Sequence, residues 1–247
     1  MVFYADGKDH SIDQNYLAQY NVENSRVNSA TLSIVDKASV LPKWIAPSLY
    51  PYNNMTSIRF DESFKNFTGI NYETSGEGGY ITTATAFDNM SGWFMNFNNV
   101  ESISGLENIP SSVVDMRYMF NRLKAASNFD TIDLSNVDMS HVVFTESMFA
   151  NIGGSLANVV LPDNVSSKVS SQMLELYNTE ELVYHAMFDS ASTLQHVTFG
   201  ENFGSEELPC DYSIMFNKCI RLQDIDLRNC LNIGTKLEDG SSPCNTS

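Results

Sequence analysis

The chain has 247 residues, enough to bury a sizeable core in one large domain or two small ones. Hydrophobic residues make up 43% and charged residues 18%, which is typical of a folded protein and excludes a disordered one. Lys and Arg number 14 against 30 Asp and Glu, so the formal net charge is -16. Because such a surface repels phosphate backbones and anionic lipid, we expect neither nucleic acid nor bare membrane as a partner.

The sequence also bears on export and redox state. It has no apolar run of the roughly 18 residues that a membrane helix needs, so we expect no membrane insertion of this segment. Residues 1–8 lack a basic stretch followed by an apolar one, so we expect any export signal to precede the first residue. The four cysteines cluster at Cys210, Cys219, Cys230 and Cys244, too late in the chain to form a disulfide framework. A single local bridge, such as Cys230 to Cys244, stays open.

The N-terminal residues 1–53 fit no repeat, and we interpret them as a capping segment with short strands. Residues 3–7 and 31–36 have the composition of such strands. An open stack of repeats needs a cap of this kind to cover its first apolar edge.

A Met-Phe pair then returns along the chain. The pairs are Met119–Phe120, Met148–Phe149, Met187–Phe188 and Met215–Phe216, with Trp93–Phe94 as a variant copy. Chance predicts fewer than one such pair from 11 Met and 15 Phe. The five Phe are 26, 29, 39 and 28 residues apart, close to the repeat length of leucine-rich repeats with one insertion.

Each pair is followed by an apolar skeleton that alternates with period two, which predicts a short strand with one buried face. The central apolar residues, expected to stack in one parallel sheet, are Ile58, Ile103, Ile132, Val159, Val197 and Ile225. The five Phe are expected to form a second buried column. The segment ahead of each pair, such as residues 142–149, spaces its apolar residues at three and four, which predicts a short helix.

These patterns predict an α/β fold: a leucine-rich-repeat-type solenoid of short parallel strands and short helices over residues 54–230, followed by a polar tail at 231–247. The 39-residue unit predicts an extra or lengthened helix, at residues 172–177 and 180–184. The alternative, an ordinary α/β domain of unrelated amphipathic segments, stays open.

Alternation along a strand also predicts which residues face outward. The candidate ligand-binding residues on that face are Arg59, Thr131, Asp133, Asn158, His196, Asp224 and Asp226. Six strands would give a face about 24 Å long, enough for an extended peptide or a protein loop. We expect modest affinity, because this polar face lacks the Trp, Tyr and Arg anchors of tight interfaces.

The stretch from Thr131 to Val142, TIDLSNVDMSHV, followed by Met148–Phe149, resembles the BspA-like repeats of bacterial surface lipoproteins. Cys219 falls on the Gly-Cys position of that family's unit. The resemblance covers about residues 54–230, although only the Ile132 unit keeps the whole Asp-Leu-Ser-Asn core. It implies a cell-surface or secreted protein that adheres to a protein or glycan on a host or neighbouring cell.

The residues that carry chemistry are sparse, so we predict no enzyme, no cofactor and no metal site. His185 and His196 share no metal-ligand spacing with a cysteine, and Cys210 carries no signature of a catalytic thiol. Asp224 and Asp226 on one strand face leave a weak calcium site as a minor alternative. We expect a monomeric recognition module. The alternatives are a structural spacer within a larger surface protein and, less favoured, a carbohydrate-active enzyme, for which a deep pocket with facing carboxylates would argue.

Overall fold

The computed structural model describes residues 56–67 and 88–231 and the backbone of residues 2–3, so most of the predicted cap and tail lie outside the described residues. The strands are β1 (Val2–Phe3), β2 (Ser57–Phe60), β3 (Ser102–Ser104), β4 (Lys124–Ala125), β5 (Thr131–Asp133), β6 (Gly153–Gly154), β7 (Asn158–Val160), β8 (Leu182–Val183), β9 (His196–Thr198), β10 (Cys210–Asp211) and β11 (Asp224–Ile225). The described helices are the 3-10 helices η1 (Glu62–Asn66) and η2 (Leu106–Asn108) and one α-helix, α1 (Ser171–Leu176). The described part is therefore of mixed α/β character, with parallel strands and little helix.

The strand pairs follow the predicted register, but in two sheets rather than one. The larger sheet has the order β11-β9-β7-β5, and it places Ile132 beside Val159, Val159 beside Val197, and Val197 beside Ile225. The other sheet has the order β1-β2-β3 and pairs Ile58 with Ile103. The prediction of a single six-stranded sheet is therefore wrong.

The break between the two sheets has a cause in the spacing of the chain. The central strand residue follows Phe94 by nine positions, at Ile103, but follows Phe120 by twelve, at Ile132. Val100 still bridges in parallel to Ala125, whose strand β4 in turn pairs with β6. The extra residues ahead of β5 then carry it out of hydrogen-bonding register with β3.

The segments around the Met-Phe pairs are turns and not helices, which corrects the prediction of a short helix in each unit. These five segments, which we call the Met-Phe turns, are residues 91–96, 117–122, 146–151, 185–190 and 213–218. The Phe120 N–H donates to the carbonyl of Met148 at 2.9 Å, and the Phe149 N–H donates to that of Met187 at 2.8 Å. These donors thus bond to the following turn, whereas in an α-helix each would bond four residues back.

Two positions in each Met-Phe turn have left-handed backbone conformation. The residues immediately before the pairs are Gly92, Tyr118, Ser147, Ala186 and Ile214, with φ between 46° and 67°. The residues two positions after the pairs are Asn96, Arg122, Asn151, Ser190 and Lys218, with φ between 57° and 65°. Left-handed residues interrupt a right-handed helix and cost energy outside glycine, so the bonds between turns must hold them in place.

The predicted phenylalanine column is confirmed. Successive ring centroids along it lie 5.6, 5.3, 5.2 and 5.2 Å apart, in the order Phe94, Phe120, Phe149, Phe188 and Phe216. The last three contacts are nearly parallel stacks. The first four rings are fully buried and Phe216 is partly buried. Together with the buried strand residues they form one continuous hydrophobic core.

The insertion contains the helix predicted there. Helix α1 begins after Ser170, whose hydroxyl accepts a hydrogen bond from the Met173 N–H, and it buries Leu174 against the core. Residues 182–183, predicted as helix, instead form strand β8, which pairs with β10. The chain after α1 therefore returns to a parallel ladder.

Candidate functional site

The larger sheet brings most of the predicted binding residues together in two rows. Strand register places Thr131, Asn158, His196 and Asp224 in the first row. The second row follows two residues later, at Asp133, Val160 and Thr198, with Asp226 just beyond the end of β11. All eight residues are at least partly exposed, while Ile132, Val159 and Val197 between the rows are buried. The predicted alternation is thus present on β5, β7 and β9, whereas on β11 the prediction of a buried Ile225 is wrong, because Ile225 is 38% exposed.

Arg59 does not belong to this face, so the prediction that grouped it with these residues is wrong. Its strand β2 lies in the other sheet, where Arg59 pairs with Ser104 of β3. Its guanidinium lies 3.7 Å from the Asp61 carboxylate. The face formed by β5, β7, β9 and β11 has four strands, so it spans about 14 Å and not the expected 24 Å or so.

At the β5 end of the face, the polar side chains bond to one another. The Thr131 hydroxyl donates to the Asp130 carboxylate at 2.9 Å and accepts from the Asn158 side-chain amide at 3.2 Å. The Asp133 carboxylate accepts the Ser135 N–H at 2.9 Å, which closes a tight turn after the strand. These bonds give Thr131, Asp133 and Asn158 a structural role. They also fix the positions of the other polar atoms of these three side chains.

At the β11 end, the face becomes concave and more charged. A groove of about 480 Å³ is lined by residues 196–199, residues 224–226 and Asn229. His196 Nδ1 lies 3.7 Å from the Asp224 carboxylate. The Asp226 carboxylate accepts hydrogen bonds from the side chain and the backbone of Arg228, which together lower the pKa of Asp226 to about 2. Asp226 is therefore ionised at any physiological pH.

Arg228 and Asn229 were not among the predicted site residues. Both follow the last strand, where the alternation rule no longer says which way a side chain points. The Arg228 guanidinium binds Asp226 through both carboxylate oxygens, with Nε at 2.9 Å from Oδ1 and 3.0 Å from Oδ2. An Asp-x-Arg motif directly after a strand was the only signal in the sequence for this pair.

A second concavity, which the sequence analysis missed, lies beside the Met-Phe turns. We call it the insertion pocket: it has about 380 Å³ and is lined by Asp88, Asn89, Asp115, Arg117, Phe144 and residues 177–179. The residues 177–179 directly follow α1, so the inserted part of the chain forms one wall. Nothing in the local sequence links Asp88 to Tyr177, because the two are 89 positions apart.

Ion pairing and aromatic contacts fix the walls of the insertion pocket. The buried Asp115 carboxylate receives the Arg117 guanidinium through Nε at 3.1 Å and Nη2 at 2.6 Å. The same guanidinium lies 4.8 Å from the centre of the Phe144 ring. The Arg117 pKa is raised above its ordinary value, chiefly by the hydrogen bond to Asp115. Arg117 is therefore held rigidly between a carboxylate and a ring.

Two tyrosines next to this pair are also hydrogen-bonded to carboxylates. The Tyr177 hydroxyl donates to Asp88 at 2.9 Å, and the Tyr118 hydroxyl donates to Glu146 at 2.6 Å. Burial and the Glu146 hydrogen bond raise the pKa of Tyr118 to about 12, so it stays protonated and remains a donor. Burial and the Asp88 hydrogen bond raise the pKa of Tyr177 as well.

The remaining chemistry-bearing residues do not converge. No group of three or more His, Cys, Asp or Glu side chains that could hold a metal ion occurs in residues 56–67 and 88–231. Cys210, Cys219 and Cys230 are free thiols, and Cys244 lies outside the described residues. His185 Nδ1 lies 2.7 Å from the Ser213 hydroxyl and 3.6 Å from the Asp211 carboxylate, without a thiol among these partners. Over the same described residues, none of the helices has the length and apolar character needed to cross a bilayer.

No family model matches the chain, and neither a curated protein nor a solved structure matches it significantly.

Proposed function

We propose that the chain is a leucine-rich-repeat-type solenoid of the BspA-like class and acts as a non-catalytic recognition module at the cell surface. It binds a protein or glycan partner through the outward face of β5, β7, β9 and β11. The single observation that carries this proposal is the register of that sheet, which aligns two rows of accessible, mostly polar side chains along neighbouring parallel strands.

The backbone bonds between Met-Phe turns support the solenoid part of the proposal. Donors recur at every second residue: the N–H groups of Tyr118, Phe120 and Arg122 bond to the carbonyls of Glu146, Met148 and Ala150. A parallel sheet on one side of each unit and parallel-bonded turns on the other are what stacked repeats require, because neither face can be buried by one unit alone.

The shape and chemistry of the face support recognition rather than turnover. The groove at the β11 end is open, and its carboxylates are already engaged with His196 and Arg228. A length of about 14 Å suits a short extended peptide or a few sugar residues. Since the exposed Arg228 beside this face is held by Asp226, we expect modest affinity for one domain, with strength gained from many copies on a surface.

The test is a binding screen followed by mutagenesis. The purified chain is applied to arrays of purified extracellular-matrix proteins and of glycans, and hits are quantified by biolayer interferometry. The triple variant D133N/H196A/D226N should weaken a genuine hit by about tenfold or more, since it removes hydrogen-bonding and charged groups along the whole face. Asparagine at residue 133 can still accept the Ser135 N–H, so the turn is kept.

The matched control is E62Q/E175Q, which neutralises two exposed carboxylates on η1 and α1, outside the face. It should bind like the parent chain, with circular dichroism establishing that both variants are folded. Unchanged binding by the triple variant would move the site elsewhere. A chain that binds no member of either array would contradict a recognition role.

A further inference from the structure

The insertion pocket is built from four separate parts of the chain. Asp88 and Asn89 precede the first described Met-Phe turn, Asp115 precedes the second and Arg117 begins it, and Phe144 precedes the third. Residues 177–179 then reach back across all of them from the insertion. In repeat proteins, insertions in single repeats often build binding features on one face.

Tyr177 shows that this return is specific. Its hydroxyl bonds to Asp88, while its ring lies 6.3 Å from the Phe144 ring in an edge-to-face arrangement. Thr179 is held in turn, because its hydroxyl donates to the Glu181 carbonyl at 3.1 Å. The wall that the insertion contributes is therefore fixed at both its aromatic and its polar end.

The polar atoms left over in the pocket are both donors and acceptors. Arg117 uses Nε and Nη2 for Asp115, and its Nη1 has no hydrogen-bond partner in the described part of the chain. The Asn178 side-chain amide has none there either. Asp88 uses one carboxylate oxygen for Tyr177, which leaves the other available. A ligand that both donates and accepts at several points would satisfy this set.

Charge argues against the simpler ligands. An anion would meet the carboxylates of Asp88 and Asp115, and Arg117 is already neutralised by Asp115. The Arg117 guanidinium already occupies one face of Phe144, so that face offers no site for a second cation. The described residues also contain no group of three acidic, His or Cys side chains that would hold a metal ion. A neutral ligand rich in hydroxyl groups remains.

We propose that the insertion pocket binds a neutral saccharide, with Asp88, Arg117 and Asn178 bonding to its hydroxyl groups and Tyr177 packing against its ring. The volume of about 380 Å³ lies at the lower end of the range for small-molecule sites, which suits one or two pyranose units. This site is separate from the sheet face. An experiment can therefore refute sugar binding in the pocket without refuting the proposed recognition role of the sheet, and the reverse.

The experiment uses the full chain and saturation-transfer NMR with a panel of methyl pyranosides: glucoside, galactoside, mannoside, fucoside, and the N-acetylglucosamine and N-acetylgalactosamine glycosides. We expect at least one to bind with a millimolar dissociation constant. The variants D88N and N178A should each weaken it by about fivefold to tenfold, because each loses a hydrogen bond at the sugar. Asparagine at residue 88 keeps an oxygen for the Tyr177 hydroxyl, so the pocket wall stays in place.

The matched control is N229A, which removes an equivalent amide from the groove on the sheet face. It should leave the pyranoside signal unchanged, as should D133N/H196A/D226N. No pyranoside bound at about 10 mM, or binding that D88N and N178A both leave intact, would overturn the proposal. Binding of inorganic phosphate or Ca²⁺ that these two variants abolish, in place of a sugar, would also overturn it.

Discussion

The inner Met-Phe turns and the last described one have the same sequence pattern but different surroundings. The turn at residues 146–151 lies between two neighbours, and the ring of its Phe149 is fully buried. Among the described residues, the turn at 213–218 has a neighbour on one side only, and its Phe216 is only partly buried. The N–H groups of Ile214, Phe216 and Lys218 find no partner among the described residues, whereas the matching donors of inner turns are bonded to the next turn.

The same contrast runs through the sheet. Val159 and Val197 in the middle are 1% and 5% exposed, while Ile225 on the last strand is 38% exposed. Burial therefore depends on having a following neighbour and not on the residue type. Each unit supplies half of a core, and stability accumulates through contacts between neighbours.

Among the tests of this contrast, we expect the largest loss of stability from removing one ring inside the phenylalanine column. Replacing Phe149 by Ala should lower the free energy of unfolding by about 3–5 kcal/mol, because it leaves a cavity between two stacked rings. The matched change Phe216→Ala should cost about 1–2 kcal/mol, since within the described part of the chain that ring is stacked on one side only. Urea denaturation followed by circular dichroism measures both. Equal losses would show that the last turn is as well supported as the inner ones.

Sequence alone located the strands of the larger sheet and the phenylalanine column, because both follow from patterns that repeat along the chain. It failed on the conformation of the Met-Phe turns. Apolar spacings of three and four also arise from turns with i to i+3 bonds, such as Leu123 N–H to Phe120 O at 3.0 Å. Only the neighbouring unit, which supplies acceptors for the remaining donors, selects these turns over a helix.

The sheet face and the insertion pocket also differ in how far the sequence predicts them. The rows on the sheet follow from strand alternation, so most of their members were predictable. The insertion pocket depends on Tyr177 meeting Asp88 across 89 positions, and such a contact is decided by how the insertion packs. Arg59 was misplaced for a related reason: its strand has the right pattern, but the spacing after Phe120 places it in another sheet.

The reactivity of two thiols, Cys219 and Cys230, tests how well the region from the last Met-Phe turn onward is buried. Burial raises the pKa of Cys219 to about 11 and that of Cys230 to about 12. Because the thiolate is the reactive form, at pH 8 we expect Cys219 to react about a hundredfold more slowly than a free cysteine, and Cys230 more slowly still. Labelling with Ellman's reagent in a C210A/C244S background, which leaves only Cys219 and Cys230, measures these rates before and after adding urea. Fast labelling of both thiols in the folded chain would contradict their burial.

Two adjacent glycines in β6 test the close pairing of inner strands. Gly154 has φ of 71°, and a Cβ there would lie 2.1 Å from the Ala125 carbonyl oxygen. Gly154→Ala should therefore destabilise the chain by about 2 kcal/mol or more, through strain and separation of β4 from β6. Gly153 is the control: its added Cβ would meet only Lys124 Cγ at 3.8 Å, so Gly153→Ala should stay within about 0.5 kcal/mol of the parent. Thermal unfolding of the pair distinguishes backbone strain from a general intolerance of larger residues in this strand.

The smallest expected effect is a gain in stability at the last turn. Ile214 has φ of 46° and is 43% exposed, so a β-branched residue holds a left-handed conformation there with little burial in return. Asparagine tolerates that conformation, and Ile214→Asn should raise the free energy of unfolding by about 0.5–1 kcal/mol. Ile220 is the control, because it is 79% exposed and does not have a positive φ, so Ile220→Asn should change little.

The inner turn at residues 185–190 offers the opposite case. Ala186, at the position that matches Ile214, has a φ of 52° but is only 5% exposed, so Ala186→Asn should destabilise the chain by forcing a polar group into the core. If Ile214→Asn also destabilised the chain, the isoleucine would have to be packed against something that covers the last turn, and the contrast between inner and last turns would be lost.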